Sequence, residues 1–324
     1  MPLAHNRSLI IGADGFLGRN LTEYFRQRGW NYYRIGRRDG DLTEQATVER
    51  LFREAPEVDR IFHVVTHQRT GPVQFDIQGR LLAVNSRIHL NVLEAWRLHQ
   101  PQAKLISTGS SCAYPESDAP LPESAFQSGP VHRSVRGYAL AKYVLAVGSQ
   151  LYAEQYGLRY LHCILATMYG PYDHKEPERS HFMGAMLDRA IREKAEGKRE
   201  LTVWGSPDTV RELLFVEDQI EAILAADQAF DDTLLNCTAS QPITIGEAAQ
   251  ALLDVLAWPV EPVYSEGTFH GARYKLLDSS RFLKATGWQP RFRLTDGLRV
   301  VLEKDYKLGG RFTKCSSRPV RHSA

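Results

Sequence analysis

The feature that most constrains this chain is a short apolar run, Ser8-Leu9-Ile10-Ile11, that ends in Gly12-Ala13-Asp14-Gly15-Phe16-Leu17-Gly18 and passes into helical spacing over 17–28. Glycines at this spacing permit a tight turn, close approach of backbone to a ligand, and close packing of helix on strand. A lone glycine triplet is weak evidence. Lying between an apolar strand and a helix whose positive end faces the turn, it predicts a cradle for the pyrophosphate of a dinucleotide, built from Gly12, Gly15, Phe16, Leu17 and Gly18.

The alternation continues. Residues 30–35 read as a second strand, 43–53 as a helix, 60–65 as a nearly all-apolar third strand and 81–98 as a long helix; then come a strand at 104–107, a helix at 138–156 and a strand at 160–166. Strands of this kind, separated by helices, predict a Rossmann-type doubly wound parallel sheet of the α/β class with helices on both faces. After Tyr169 the pattern weakens, and Pro171, Pro177, Pro207, Pro242, Pro259 and Pro262 interrupt it. The expected division is a dinucleotide-binding domain over 1–168, a smaller mixed α/β substrate lobe over 169–310 interleaved with the last sheet strands, and a frayed basic tail over 311–324. The order reversal of such a sheet places a crevice beside Gly12 and the segment 107–112.

At 324 residues and 43% apolar content the chain can bury a full core. A formal net charge of +2 gives no electrostatic case for nucleic acid or an anionic membrane. Cys112, Cys163, Cys237 and Cys315 form no Cys-x-x-Cys pair, so neither a disulfide framework nor a metal site is expected. The first eight residues lack a signal-peptide core and no run approaches the roughly 18 apolar residues of a membrane span, so a cytoplasmic location is expected.

Tyr138 and Lys142 lie four residues apart in a predicted helix and share one face. An ammonium beside a phenol favours the phenolate, so this tyrosine is expected to exchange protons near neutral pH. Gly36-Arg37-Arg38 stands where a site for NAD usually has an acid on the ribose. Two guanidiniums suit a 2′-phosphate instead, predicting NADPH over NADH, with Asp41-Leu42 beside the adenine and Asp39 and Asp41 as opposing charges.

The order of glycine turn, Asp41-Leu42, Ser110-Ser111, Tyr-x-x-x-Lys and Tyr169-Gly170-Pro171 resembles the extended short-chain dehydrogenases/reductases that act on nucleotide sugars, over nearly the whole chain. Ser110-Ser111-Cys112-Ala113-Tyr114-Pro115, Ser180-His181, Val203-Trp204-Gly205-Ser206, the run from Arg211 to Asp218 and Lys275-Leu276-Leu277-Asp278 are similar to stretches of the GDP-L-fucose synthase family. The resemblance implies that Tyr138 gives a proton to the sugar C4 carbonyl oxygen, that Lys142 lowers its pKa and holds the nicotinamide ribose, and that Ser110 hydrogen-bonds the same oxygen, with Ser111 able to share that place. It implies proton exchange at C3 and C5 by Cys112 and His181, and nucleotide contacts from Arg189, Trp204 and Arg211. Plain alternatives are a surface charge for Arg189, core packing for Trp204 and a salt bridge to Glu212 or Glu217 for Arg211.

Two stretches depart from that family. The loop after the third strand reads Thr66-His67-Gln68-Arg69-Thr70-Gly71, bulkier and more polar than the family's, with His67 and Arg69 as candidate sugar contacts; Leu165-Ala166-Thr167 replaces Pro-Thr-Asn, so Thr167 offers one hydroxyl where an amide is expected. A different sugar, a heptose included, is therefore in view. The expected activity is NADPH-dependent reduction of the C4 ketone of a nucleotide-linked 4-keto sugar, with or without epimerisation at C3 and C5. The alternatives are a 4-epimerase that retains NAD and, in another class, a non-catalytic dinucleotide sensor that would not need Ser110, Tyr138 and Lys142. The resemblance also implies a homodimer through the helices at 81–98 and 138–156.

Overall fold

The structure is a computed structural model that describes residues 7–176, 179–265 and 272–308. In chain order the first half holds β1 (Ser8–Ile11), α1 (Phe16–Gln27), β2 (Tyr32–Ile35), α2 (Gln45–Glu54), β3 (Arg60–His63), the short α3 (Val73–Asp76), α4 (Gln78–His99), β4 (Lys104–Ser110), α5 (Arg136–Tyr156) and β5 (Tyr160–Leu165). The second holds β6 (Thr167–Tyr169), α6 (Phe182–Ala195), β7 (Glu200–Trp204), β8 (Val210–Arg211), β9 (Leu213–Phe215), α7 (Val216–Ala229), β10 (Thr233–Asn236), β11 (Ile243–Thr244), α8 (Ile245–Leu256), β12 (Glu261–Ser265), α9 (Ser280–Thr286) and α10 (Leu294–Tyr306).

Six strands form one parallel sheet in the order β2-β1-β3-β4-β5-β10. The doubly wound class read from the sequence is what forms. Alternation along the strands sends Ile10, Phe62, Ile106 and Leu161 to a face covered by α1 and α7, and Leu9, Ile61, Leu105 and Tyr160 to a face covered by α2, α4 and α5. Helix α1 supplies Leu17, Leu21, Tyr24 and Phe25 to the first face at helical spacing, and α5 stops at Gly157 in the left-handed conformation (φ 67°).

β10 joins the sheet only after the chain has passed through β6 to α7. The remaining strands pair in twos, β7 with β12, β8 with β11 and β6 with β9, around a separate core that includes Met183, Leu187, Leu252 and Leu298. Asn20 in α1 donates to the Pro171 carbonyl at 2.8 Å, and Tyr172 donates to Glu23 at 2.8 Å, so the glycine-turn helix is tied directly to the start of this second part. Among the described residues no helix is long and apolar enough to cross a membrane. The tail at 311–324, with Cys315, and Pro177 lie outside the described residues.

Candidate active site

A cleft of about 1240 Å³ runs from the glycine turn, across the carboxyl ends of β1, β3, β4 and β5, to β7 and β8. Its cofactor end is made of backbone. Gly12 has φ 94°, a conformation open to glycine, and a Cβ on Gly18 would stand 2.0 Å from the Gly12 carbonyl oxygen, so α1 is pressed onto the turn. Gly15 precedes α1 without a side-chain cap, and no acid lies in the first turn, which leaves the helix amides to an anion. Phe16, Leu17, Asp41 and Leu42 line the cleft. These residues fit a dinucleotide.

The end of β2 is arranged differently from the sequence reading. Arg37 is exposed and lines the cleft, whereas Arg38 is exposed and does not. The Asp14 carboxylate ion-pairs with Arg34 and accepts from the Arg37 amide at 2.7 Å, while Asp39 accepts from the Gly36 amide at 2.7 Å. Asp14 thus joins Asp39 as an acid at the strand end where Arg37 and Arg38 stand. Asp41 is held below its ordinary value by hydrogen bonds from the Thr43 backbone and hydroxyl.

At mid-cleft, β4 ends in Ser110, whose hydroxyl accepts from the Cys112 amide at 3.2 Å. The Tyr138 hydroxyl faces Thr66 and Ser110, and Lys142 Nζ donates to the Thr108 carbonyl at 2.7 Å. Four residues on α5 place both side chains on one face, as expected. Their electrostatics depart from expectation: burial, with Cys112 adding to it, pushes the Tyr138 phenol well above its ordinary value, and burial draws Lys142 down to about 7. Desolvation outweighs the attraction between ammonium and phenolate that the spacing suggests, because both groups are buried.

The end away from the glycine turn is made of side chains from separate segments. Cys112, Ser111, Thr167 and His181 line the cleft, as do Thr66, His67 and Arg69 from the loop after β3. Lys275 Nζ donates to Cys112 Sγ at 3.2 Å, and His181 Nδ1 lies 2.8 Å from Asp173 Oδ1. Further along, the Arg189 guanidinium stacks 3.6 Å from the centre of the Trp204 ring, and Trp204 is 59% exposed, so it is not core packing. Arg211 donates to the Val210 carbonyl at 2.7 Å and lines the cleft, while Glu212 turns away to accept from the Ser240 amide at 2.7 Å.

The sequence reading gave no role to Thr66, Asp173 or Lys275, and missed a polar row beneath Lys142. His63 on β3, Ser107 on β4 and His162 on β5 are register partners, all buried; Ser107 bonds His162 at 2.8 Å and His63 bonds His89 of α4 at 2.8 Å. Burial, then the Lys142 charge, lowers His63 and His162 to about 3, so both stay neutral. A signal was present: histidines inside runs that otherwise read as doubly buried strands.

Fold and site together define a dinucleotide-dependent enzyme scaffold. Residues 8–236 match the NAD dependent epimerase/dehydratase family, and the chain belongs to that family. Among its relatives, a probable GDP-L-fucose synthase from Oryza sativa subsp. japonica is 31% identical over 89% of this chain and 88% of its own length. A GDP-6-OMe-4-keto-L-xylo-heptose reductase from C. jejuni shares the fold with a TM-score of 0.84 at 21% identity, over 94% of this chain and 99% of that one. A GDP-mannoheptose C4 reductase from Campylobacter jejuni with NADP bound also shares it, with a TM-score of 0.80 at 23% identity over 93% and 98%.

Proposed function

We propose that this protein reduces the C4 ketone of a nucleotide-linked 4-keto sugar with NADPH. The observation that carries the reading is that Ser110, Tyr138 and Lys142 line the middle of one cleft whose one end is the glycine turn and whose other end is Trp204, with Tyr138 and Lys142 on the same helix face. A bound nicotinamide dinucleotide would supply a hydride. The chain's own part is to hold the carbonyl oxygen against Ser110 and Tyr138, so that Tyr138 gives its proton as charge grows there. A phenol kept protonated by burial is in the state a proton donor needs. Lys142, drawn down to about 7, is able to return a proton to the tyrosine. In this reading Cys112 and His181, which both line the cleft, exchange protons on carbons beside the ketone.

Relatives named for GDP sugars support a nucleotide sugar as substrate, and the bulk of the loop carrying His67 and Arg69 favours a sugar other than the one a fucose synthase takes. The division into a dinucleotide domain over 1–168 and a substrate lobe over 169–310 is part of this proposal. Arg37 carries the preference for a 2′-phosphate. A second reading, a 4-epimerase that keeps NAD, is favoured by the Asp14 carboxylate at the ribose edge; finding NAD retained through purification would support it.

The face opposite the sheet on α4 and α5 exposes Leu90, Leu98, Leu140, Val147, Leu151 and Tyr156, which we assign to a homodimer contact. A monomer by light scattering at micromolar concentration would remove that assignment. The activity is tested by incubating the protein and NADPH with GDP-, dTDP-, UDP- and CDP-linked 4-keto-6-deoxy sugars and 4-keto heptoses, following loss of nicotinamide absorbance and identifying products by NMR. Oxidation of NADPH by one of them is expected; none with any member of the panel, in folded protein that binds NADPH, would overturn the reading.

A further inference from the structure

Each side chain assigned to proton exchange is gripped by a charged partner from another segment. Lys275 is locked in place by backbone: its amide donates to the Val210 carbonyl at 3.1 Å, and the next residue's carbonyl accepts from the Leu121 amide at 3.0 Å. This fixes its Nζ at 3.2 Å from Cys112 Sγ. On the other arm Asp173 holds His181 twice, Oδ1 at 2.8 Å from Nδ1 and Oδ2 accepting the His181 amide at 3.2 Å, and the His174 amide donates to Oδ1 at 2.8 Å. Asp173 is itself nearly buried, packed so closely on Gly184 that a Cβ there would stand 2.5 Å from its Oδ2.

Inverting a carbon beside a ketone needs a base that is deprotonated and an acid that is protonated before the sugar arrives. Free in water near neutral pH, a thiol and an imidazole have the opposite arrangement, since the thiol titrates above the imidazole and keeps the proton. Something must reverse that order. We propose that Lys275 and Asp173 are positioning residues that do so, Lys275 holding Cys112 as a thiolate and Asp173 holding His181 as an imidazolium. The proposal rests on the reading that this pair works on the carbons next to C4. Cys112 Sγ takes the C–H proton to become a thiol, leaving an enolate; His181 gives its ring proton to the opposite face of the same carbon and becomes neutral. One proton is gained and one lost by the sugar, and solvent returns the pair to its starting state.

The electrostatics agree with the geometry. Burial opposes ionisation of Cys112, yet Lys275 and the Ser110 hydroxyl, with Arg211 also facing it, bring the thiol below its ordinary value. Burial likewise opposes charge on His181, yet Asp173, helped by Cys112, holds it above its ordinary value. Tyr138 and His181 are the other titratable groups facing Cys112, and His174 is the other facing His181.

The test reads protonation in the full-length protein without substrate. The ultraviolet thiolate band, taken as the difference between wild type and Cys112→Ser, is followed against pH; ring-carbon NMR follows His181, assigned by His181→Asn. The wild-type thiol should titrate below an ordinary thiol, Lys275→Met should raise its midpoint by about one pH unit or more, and Lys275→Arg should leave it near wild type. Asp173→Asn should lower the His181 midpoint by a similar amount. A wild-type Cys112 midpoint at or above that of an ordinary thiol overturns the proposal whether or not any variant folds, as does an unmoved midpoint in a folded Lys275→Met. Failure of the underlying reading looks different. Both ion pairs would titrate as expected while wild type incorporated no solvent deuterium at C3 or C5, and that result would overturn the role in exchange assigned to both residues.

Discussion

The two ends of the cleft are built from different materials. At the glycine turn the ligand surface is backbone, held by contacts that a single methyl group would break, as between Gly18 and the Gly12 carbonyl. At the end proposed for the sugar it is side chains, brought by loops and strand ends as far apart in sequence as Thr66, Cys112, His181, Trp204 and Lys275. A backbone cradle recognises what all its ligands share, the pyrophosphate, and tolerates little change. A side-chain surface can be rebuilt one residue at a time, which is where members of one family come to differ in the sugar they accept.

If the ends act separately, the largest effect should fall on chemistry alone. Tyr138→Phe removes the proposed proton donor while leaving the ring in place, and should slow reduction by roughly a thousandfold. NADPH affinity, read by nicotinamide fluorescence, should stay within about twofold. Substantial residual turnover would take Tyr138 out of its role, and a matching loss of affinity would show that the two ends are not separable. Gly18→Ala is the converse. Its Cβ would meet the Gly12 carbonyl oxygen at 2.0 Å, and dinucleotide affinity should fall roughly a hundredfold, about 3 kcal/mol, with turnover at saturating NADPH much less affected. An unchanged affinity would mean that the turn relaxes freely and is no rigid cradle.

Acid should separate the ends by stability. His63 and His162 have folded pKa values of about 3 and an ordinary value of 6.5. Between those limits the unfolded chain binds protons that the folded chain refuses, so the contribution is complete above pH 6.5 and declines as pH falls towards 3. From pH 7 to pH 5 each histidine should remove about 2 kcal/mol. Hydrogen exchange should show β3, β4 and β5 losing protection at pH 5 before α6 and α8 do, and His63→Leu combined with His89→Leu should make the dependence shallower while His162 keeps its share. A lobe that opened first would place the acid-sensitive groups elsewhere.

The same contrast decides what could be read from the sequence. Gly12, Gly15 and Gly18 announce themselves because the backbone demand leaves few residue choices, and the strand–helix rhythm up to β5 follows from periodicity that burial on both faces enforces. Tyr138 and Lys142 were legible because one helix carries both. Lys275 on Cys112 was not, since only the pairing of its segment with β8 brings them together across 163 positions. The contact of Asp14 with the Arg37 amide was not legible either, because a turn residue after β1 reaches the end of β2 only once the two strands pair. The acidification expected of Tyr138 failed for a related reason: spacing gives proximity, whereas the sign of the shift depends on burial that no local pattern reveals.

The smallest expected effect is the sharpest probe of the sugar end. One face of the Trp204 ring is covered by the Arg189 guanidinium, and the residue is still 59% exposed at the cleft. A flat aromatic surface, backed by a cation and open on one side, suits the base of a nucleotide, and stacking of this kind is worth about 1–3 kcal/mol. On the proposed reading a base at Trp204 lies at the opposite end of the substrate from the reacting carbon, so it would contribute equally before and during hydride transfer. Trp204→Ala should therefore raise KM for the sugar nucleotide about tenfold while kcat changes by less than about twofold, and Trp204→Phe should recover most of the loss. Were kcat to fall with KM unchanged, Trp204 would be positioning the sugar for reaction. The division of the cleft into a fixed cofactor end and an adjustable recognition end would then have to be redrawn, with the tryptophan on the catalytic side.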